Sequence, residues 1–417
     1  MRANWWVFWA VLSGCSRGES LQPVDGSADL QVPAAQAFEA SAAATTSAPS
    51  VLASSLPRSS TKVAPPEAGA SVCRSLGGPV QVSRRGASTL AVRGDEVVAV
   101  LNEDGHPALA RFRVAPLAPG PLIWVPPPNA PTRAQSVPCA VTGDLAFCPD
   151  RTGIVRRSTL AGADSQWTAS AVAGTRVSAA RAPGSSAVLV YLARRQTSEG
   201  WVTEAWVVAE EGRPERLSED GSGATSAALA ARGSSLLAVT VDSRVALTAM
   251  HAREVRCDHG LQLSEDVVTF VGGPGAPGTA AALALFPSSS AGWALLPIAQ
   301  DVSSFGVAAV RLDAPPQVDE PVLWSPYPDG LDPAAIATVA VGSRIWVARV
   351  RPRERGLGAP RLLEVGELAT DGSFAGKHIV AGADGATDVA LASDSRGALW
   401  IAWLDASGSW VERLGCP

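Results

Sequence analysis

The sequence has almost no lysine and few residues of the types that usually carry catalysis. Lysine occurs only at Lys62 and Lys377 among 34 lysines and arginines, and the 417 residues include four histidines and two tyrosines. Only 18% of the residues are charged, and the net charge is −5. The chain therefore lacks the excess of basic charge that nucleic acids attract, and we predict no nucleic-acid partner.

Motifs of the common catalytic and metal sites are missing as well. Neither HExxH, Walker A nor an EF-hand pattern occurs. A glycosidase with a tyrosine nucleophile could use only Tyr191 or Tyr327, and Tyr327 lies in the turn-like segment 325–330. Paired catalytic carboxylates cannot be singled out among 39 acidic residues. We predict no catalytic residue, no metal and no cofactor.

One cluster combines residue types that can bind metals. It is Cys257-Asp258-His259, with His251 nearby. The other two histidines, His106 and His378, are far away in the sequence. We interpret the cluster as a loop cysteine beside an exposed histidine, with a metal site as the alternative.

Long apolar runs are missing after residue 14, and the run before it is short. About eight apolar residues from Trp5 suit a signal peptide, whereas a membrane-spanning helix needs about 20. They lead into Leu12-Ser13-Gly14-Cys15, which resembles the lipobox of bacterial lipoproteins. The alternative, a buried N-terminal strand, fits poorly with three tryptophans in five residues.

The lipobox resemblance implies a specific maturation. Residues 1–14 would be removed as a signal peptide, and Cys15 would carry diacylglycerol and palmitate. Ser16, in place of an aspartate, favours the outer membrane over the inner one. Several acyl chains on one cysteine give lasting attachment, whereas a single chain binds a membrane only marginally.

Residues 15–71 begin with that cysteine and read as a disordered tether. Alanine, serine, threonine and proline dominate, and large apolar residues show almost no periodicity. Such a composition cannot bury enough surface to offset the entropy of ordering. As a flexible coil the tether would span roughly 40 Å.

Residues 72–417 contain a repeated pattern of a short strand, a polar glycine turn and a second strand. Leu90–Val100 aligns without gaps on Leu229–Val239. The same scheme recurs at Ala140–Phe147, Val339–Ala348 and Val389–Trp403, and more weakly near Ala179 and Thr269. Seven anchors spaced about 40 to 70 residues apart, with nothing helical between them, predict an all-β, seven-bladed β-propeller. A pair of β-sandwiches is the alternative.

The last of these repeats resembles two propeller signatures. In the Asp-box of sialidase-like proteins the aspartate would fall on Ser395 and is missing, although Ser393, Gly397 and Trp400 match. The D-x-x-G-x-L-W-I repeat of ligand-sensing propellers in hybrid two-component regulators is matched by Asp394, Gly397, Leu399, Trp400 and Ile401. Both resemblances imply the fold rather than an activity, because these motifs stabilise turns.

Lipidation of Cys15 leaves five cysteines for an oxidising compartment. A two-residue Gly143-Asp144 turn would pair Thr142 with Leu145 and bring Cys139 opposite Cys148 at a non-hydrogen-bonded pair. There the side chains approach closely enough for a disulfide. Zinc binding by this pair has no CxxC or nearby histidine to support it.

We further predict that a second disulfide, Cys73–Cys416, closes the propeller. The last repeat supplies only two or three strands before the chain ends, so residues 79–82 would complete that blade and avoid an open edge. Closing so long a loop would stabilise the fold by on the order of 5 kcal/mol. Cys257 would be the unpaired thiol.

The densest charge cluster follows the strand 345–348. We interpret it as a solvated loop, with an arginine clamp for an anionic glycan or lipid headgroup as the functional alternative; its members are Arg349, Arg351, Arg353 and Arg355. The tryptophans mostly follow strand spacing. We interpret Trp201, Trp206, Trp400 and Trp403 as packing between blades rather than as a platform for sugars.

Two function classes follow from these observations. The first is a membrane-anchored envelope lipoprotein whose non-catalytic propeller binds a protein or glycan. The second is a propeller hydrolase or lyase acting on extracellular or cell-wall polysaccharide. Charged residues converging on the central channel would favour the enzyme, and an apolar or featureless channel would favour the binder.

Overall fold

A computed structural model describes most of the chain from Cys73 to Cys416. The described residues are 73–84, 88–113, 123–125, 137–161, 164–198, 200–210, 212–244, 247–257, 260–271, 281–285, 292–299, 305–312, 322–323, 335–352 and 360–416. They form 30 strands in seven antiparallel sheets and contain no helix. None of them therefore belongs to a helix that could cross a membrane. The predicted signal peptide, Cys15 and the predicted tether lie outside these residues.

Two short strands come first and are followed by three four-stranded sheets, blades 1 to 3. The first two are β1 (Arg74–Ser75) and β2 (Val80–Ser83). Blade 1 contains β3 (Ser88–Arg93), β4 (Glu96–Glu103), β5 (His106–Arg113) and β6 (Ile123–Val125). Blade 2 contains β7 (Ala140–Thr142), β8 (Leu145–Pro149), β9 (Ile154–Thr159) and β10 (Asp164–Ser170). Blade 3 contains β11 (Ser178–Ala180), β12 (Val188–Thr197), β13 (Gly200–Ala209) and β14 (Glu215–Arg216).

Four more sheets follow as blades 4 to 7. Blade 4 contains β15 (Ala224–Arg232), β16 (Ser235–Arg244), β17 (Leu247–Arg256), β18 (Gln262–Leu263) and β19 (Val267–Val271). Blade 5 contains β20 (Ala282–Leu285), β21 (Gly292–Ala299), β22 (Phe305–Leu312) and β23 (Val322–Leu323). Blade 6 contains β24 (Ile336–Val341), β25 (Arg344–Pro352), β26 (Arg361–Leu368) and β27 (Phe374–Ile379). Blade 7 contains β28 (Asp388–Ser393), β29 (Leu399–Asp405) and β30 (Gly408–Gly415).

The first strands of the seven blades form a closed ring. Each of β3, β7, β11, β15, β20, β24 and β28 contacts the next, and β28 contacts β3. Within each blade the following strands pair outward from this ring. The molecule is therefore a seven-bladed β-propeller around a central channel, as the repeats predict, and the alternative of two sandwiches is wrong.

Blade 7 is completed by the start of the described chain. Strand β30 pairs with β29 on one side and with β1 and β2 on the other, where Val80 is opposite Val411 and Gln81 is opposite Trp410. Cys73 and Cys416 form a disulfide beside this seam, with their Cα atoms 4.2 Å apart. The predicted closure by residues 79–82 is thus confirmed by the pairing of β2.

Apolar side chains fill every junction between neighbouring blades. Val97 of blade 1, for example, belongs to one buried cluster with Trp400 and Val411 of blade 7. Equivalent clusters join the remaining neighbours around the ring. Because each blade buries both faces in this way, the ring is held by blade-to-blade packing rather than by one central core.

Four inner hairpins turn in the same way. Each has two residues between its paired strands, with a glycine first, and these glycines have φ between 58° and 60°: Gly94, Gly143, Gly233 and Gly342. A positive φ at the first turn position fits a type II′ turn, which suits the twist of a hairpin. The predicted pairing of Thr142 with Leu145 is confirmed, and Cys139 forms a disulfide with Cys148.

The predicted anchors mark inner hairpins in all but one case. The five strong repeats coincide with β3–β4, β7–β8, β15–β16, β24–β25 and β28–β29, and Ala179 lies on β11. The anchor near Thr269 is wrong. Thr269 lies on β19, which pairs with β17 in blade 4, whereas the inner strand of blade 5 is β20. A short apolar strand before glycines looks the same in sequence at either position.

Asp394 shows what the last repeat does in blade 7. Its Oδ1 accepts hydrogen bonds from the backbone N–H groups of Arg396 and Ala398, and its Oδ2 accepts from Trp400 Nε1 and from Arg413. Burial alone would raise the pKa of Asp394, but these hydrogen bonds and the charge of Arg413 lower it. The motif therefore fixes a turn.

Candidate functional site

A cavity of about 230 Å³ lies in the central channel. Its walls come from the beginnings of the inner strands of blades 1, 2, 3, 6 and 7, so it lies at the channel end where those strands start. Most of the lining residues have apolar side chains, including Ala140, Val141, Ala179, Ala337 and Ala390, but polar atoms make up the larger part of the exposed wall. Concave cavities that combine apolar side chains with a few polar groups are the usual places for small ligands.

One ion pair crosses the channel beside this cavity. Arg176, which precedes β11 in blade 3 and lines the cavity, pairs through Nη2 with Asp388 Oδ1 at the start of β28 in blade 7. Going around the ring, blade 7 is three blades from blade 3 in one direction and four in the other, so the pair joins opposite walls. Desolvation lowers the pKa of Arg176 to about 10, and its guanidinium remains charged at neutral pH.

A buried hydroxyl on the cavity wall has no hydrogen-bond partner among the described residues. Ser88, at the start of β3, lines the cavity and is 5% exposed. Its Oγ neither donates to nor accepts from any described group. A buried polar atom in that state costs free energy, so it marks a position where a bound molecule gains a hydrogen bond.

The predicted arginine cluster is placed differently from the sequence-based expectation. Arg349 and Arg351 lie within β25 rather than in a loop, and Arg353 and Arg355 lie outside the described residues. Arg349 is 6% exposed, and its guanidinium is 2.9 Å from Glu364 and lies over the Phe374 ring. The loop placement is wrong for both because Glu364 stands opposite Arg349 on β26.

Glu364 is shared by the two arginines. Its Oε1 lies 2.7 Å from Arg351, while its Oε2 faces Arg349. Burial alone would raise the pKa of Glu364, but the hydrogen bonds and charges of Arg351 and Arg349 lower it. The group thus contributes a charge-paired contact between β25 and β26; a role of these arginines in ligand binding stays a prediction.

His251 lies in β17 and is flanked by two carboxylates. Its Nδ1 is 2.7 Å from Asp266 and its Nε2 is 3.3 Å from Asp242, with the histidine only 4% exposed. Burial alone would lower the pKa of His251, but hydrogen bonding and the charges of Asp242 and Asp266 raise it to about 9. Arg253, 3.5 Å from Asp266, supplies a second positive charge.

Glu219 also lies close to His251 and Asp266. One ligand atom each of Glu219, His251 and Asp266 lie within 4.8 Å of one another, a spacing that could hold a metal ion. Protonated His251 and Arg253 already balance Asp242 and Asp266, however, so only the charge of Glu219, which is exposed, is left for a cation to neutralise. Of the sequence cluster around it, Cys257 is half-buried, and Asp258 and His259 lie outside the described residues.

The packing interpretation of the tryptophans holds for three of the four. Trp400 and Trp403 are buried in blade 7, and Trp206 packs against the cluster between blades 2 and 3. Trp201 is 67% exposed and lies one residue from the end of the β12–β13 hairpin, whose strands are ten residues long. Interpreting Trp201 as packing is therefore wrong, because most of its side chain is open to solvent.

Sequence reasoning did not find the channel residues. Arg176, Ser88 and Asp388 stand alone among uncharged or small neighbours, and no motif connects them. Their shared position immediately before or at the start of an inner strand was the only available signal.

Comparisons with known proteins assign no family. No protein-family model matches the chain, and no curated protein matches it significantly. Similar solved structures include U3-55K, with 14% identity, a TM-score of 0.45, and coverage of 84% of this chain and 99% of that one. Another is Sqt1 of Saccharomyces cerevisiae, with 8% identity, a TM-score of 0.42, and coverage of 84% and 100%. The WD40 repeats of RRP9 match with 11% identity, a TM-score of 0.45, and coverage of 82% and 100%.

Proposed function

We propose that this chain is an outer-membrane lipoprotein whose propeller binds a protein or glycan without catalysing a reaction. The lipobox-like segment ending at Cys15 and the tether to residue 71 support the anchor. The closed ring and the Cys73–Cys416 disulfide suit a rigid binding platform in an oxidising compartment.

The observation that carries the binding proposal is the exposed Trp201. Tryptophan is enriched among the residues that dominate protein interfaces, because its large ring buries much apolar area and its N–H can still bond. Leaving 67% of it in water at a hairpin end has no packing benefit for the propeller. Around it the hairpin is polar, with Arg194 and Gln196 exposed, as at the rim of an interface.

The channel favours binding over hydrolysis. A glycosidase needs two carboxyl groups facing the scissile bond. No carboxylate lines the described part of the cavity wall, and the nearby Asp388 is already paired with Arg176. The charges therefore neutralise each other instead of converging on a substrate.

Photo-crosslinking at Trp201 tests the binding proposal. The full chain is expressed in its native host with p-benzoylphenylalanine in place of Trp201 or, as a control, of Ile379, which is 53% exposed on β27 of blade 6. We expect a discrete adduct at position 201 and none at 379, and protease or glycosidase treatment identifies it as protein or glycan. Equal labelling at both positions, or none at 201, would contradict the proposal.

A cysteine substitution tests the anchor separately. We expect Cys15→Ser to move the protein from the membrane fraction to the soluble fraction and to leave the mature N-terminus without acyl mass. Cys257→Ser, which changes the cysteine outside both disulfides, is the control and should stay membrane-bound. Unchanged fractionation and mass in Cys15→Ser would refute the lipobox interpretation.

A further inference from the structure

The Arg176–Asp388 pair has unused bonding capacity on both sides. A guanidinium offers five N–H donors, and the described residues engage only Nη2 of Arg176. Asp388 Oδ1 takes that contact and a hydrogen bond from the Val389 backbone, while no described group bonds Oδ2. One positive and one negative group with free bonding positions thus stand side by side at the cavity.

The surroundings restrict what can join them. Arg176 is 29% exposed, so the pair can be reached from solvent, and the walls beyond it include small aliphatic side chains such as Val141 and Ala390. The volume of about 230 Å³ exceeds the roughly 150 Å³ that accommodates a benzene molecule. A compact molecule with an apolar part therefore fits, and a polymer chain does not fit inside.

We propose that this cavity binds a free α-amino acid with a short aliphatic side chain. Its carboxylate would bond Arg176, its ammonium group would bond Asp388, and Ser88 Oγ would gain its missing hydrogen bond from one of the two. The aliphatic side chain would pack against the alanine and valine walls.

Charge matching selects a zwitterion over a simple ion. A lone carboxylate would place a second negative charge beside Asp388, and a lone amine would place a second positive charge beside Arg176; like charges at such distances are unfavourable. When a zwitterion binds, Arg176 pairs with its carboxylate and Asp388 pairs with its ammonium group. Neither Arg176 nor Asp388 is then left without a partner. Such a site goes beyond the proposed function, because it depends neither on Trp201 nor on Cys15.

Calorimetric titration of the detergent-solubilised full chain tests this site. We expect saturable one-to-one binding of L-valine, and much weaker or no binding of isobutylamine, which has only the amine, or of isovalerate and N-acetyl-L-valine, which have only the carboxylate. The acetylated probe also represents the end of a polypeptide. Absence of valine binding, or N-acetyl-L-valine binding as tightly as valine, would overturn the proposal.

Substitutions locate the site. Arg176→Gln and Asp388→Asn should each weaken valine binding at least about tenfold, since each removes a charge-assisted hydrogen bond. Ser88→Ala should weaken it less, and Arg181→Gln, outside the cavity in the same blade, should leave it unchanged. Thermal melting reports whether each variant is folded. Undiminished binding by folded Arg176→Gln or Asp388→Asn would also overturn the proposal, whatever the outcome of crosslinking at Trp201.

Discussion

Replacing both Cys73 and Cys416 by alanine is expected to lower the free energy of unfolding by about 5–6 kcal/mol. The two cysteines are 343 residues apart, and in the chain-entropy model the stabilisation grows with the logarithm of that separation. Alanine is chosen because Cys73 is buried, where a serine hydroxyl would need a partner. The midpoint and slope of the urea denaturation curve measure this loss of unfolding free energy.

The second disulfide provides the matched control. Cys139 and Cys148 are nine residues apart, for which the same model gives about 2.5 kcal/mol. Cys139→Ala/Cys148→Ala should therefore lower the free energy of unfolding about half as much as the double substitution of Cys73 and Cys416. A seam variant that loses no more stability than this control would show that β2 and β30 close the ring without help from the disulfide.

Replacing His251 by asparagine is expected to destabilise the propeller by about 3–5 kcal/mol at pH 6. The substitution removes the positive charge that lies between Asp242 and Asp266 and leaves the buried Asp242 and the half-buried Asp266 with only Arg253 nearby. His106→Asn, at an exposed position, is the control and should change stability little.

The effect of His251 should depend on pH in a defined direction. Its pKa is raised from 6.5 in the unfolded chain to about 9 in the fold, so its stabilisation is complete below pH 6.5 and disappears as pH rises through 9. The shift corresponds to about 3 kcal/mol, by which the difference between the native protein and His251→Asn should shrink between pH 6 and pH 10. A constant difference over that range would show that His251 is not protonated in the fold.

Local signals made the propeller predictable. Four of the inner hairpins combine a glycine turn with two short apolar strands, and a turn such as Gly143-Asp144 fixes both the register and the Cys139–Cys148 contact. The seam could be predicted because the last repeat lacked a strand. The repeat predicted near Thr269 was wrong because an outer strand of blade 4 has the same local pattern as an inner strand.

The channel residues and the charge networks could not be predicted, because local sequence patterns do not show which distant residues meet in the fold. Arg176 meets Asp388 only because the ring brings opposite blades together. Arg349 could not be placed opposite Glu364 because the length of the connection between their strands leaves the register open. Trp201 follows the same alternation as a packed residue, and strand spacing does not tell whether another part of the fold covers it.

The seam of blade 7 also sets the order of events during synthesis. Strand β2 leaves the ribosome before the strands of blades 1 to 6 and β30 leaves after them, and at 5–20 residues per second the 343 residues from Cys73 to Cys416 take roughly 20–70 s. During that time Val82 of β2 lacks Trp400 and Val411, the partners that bury it in the finished ring. The unfinished chain therefore carries uncovered apolar surface at both sides of the gap, which is what chaperones recognise on a nascent polypeptide.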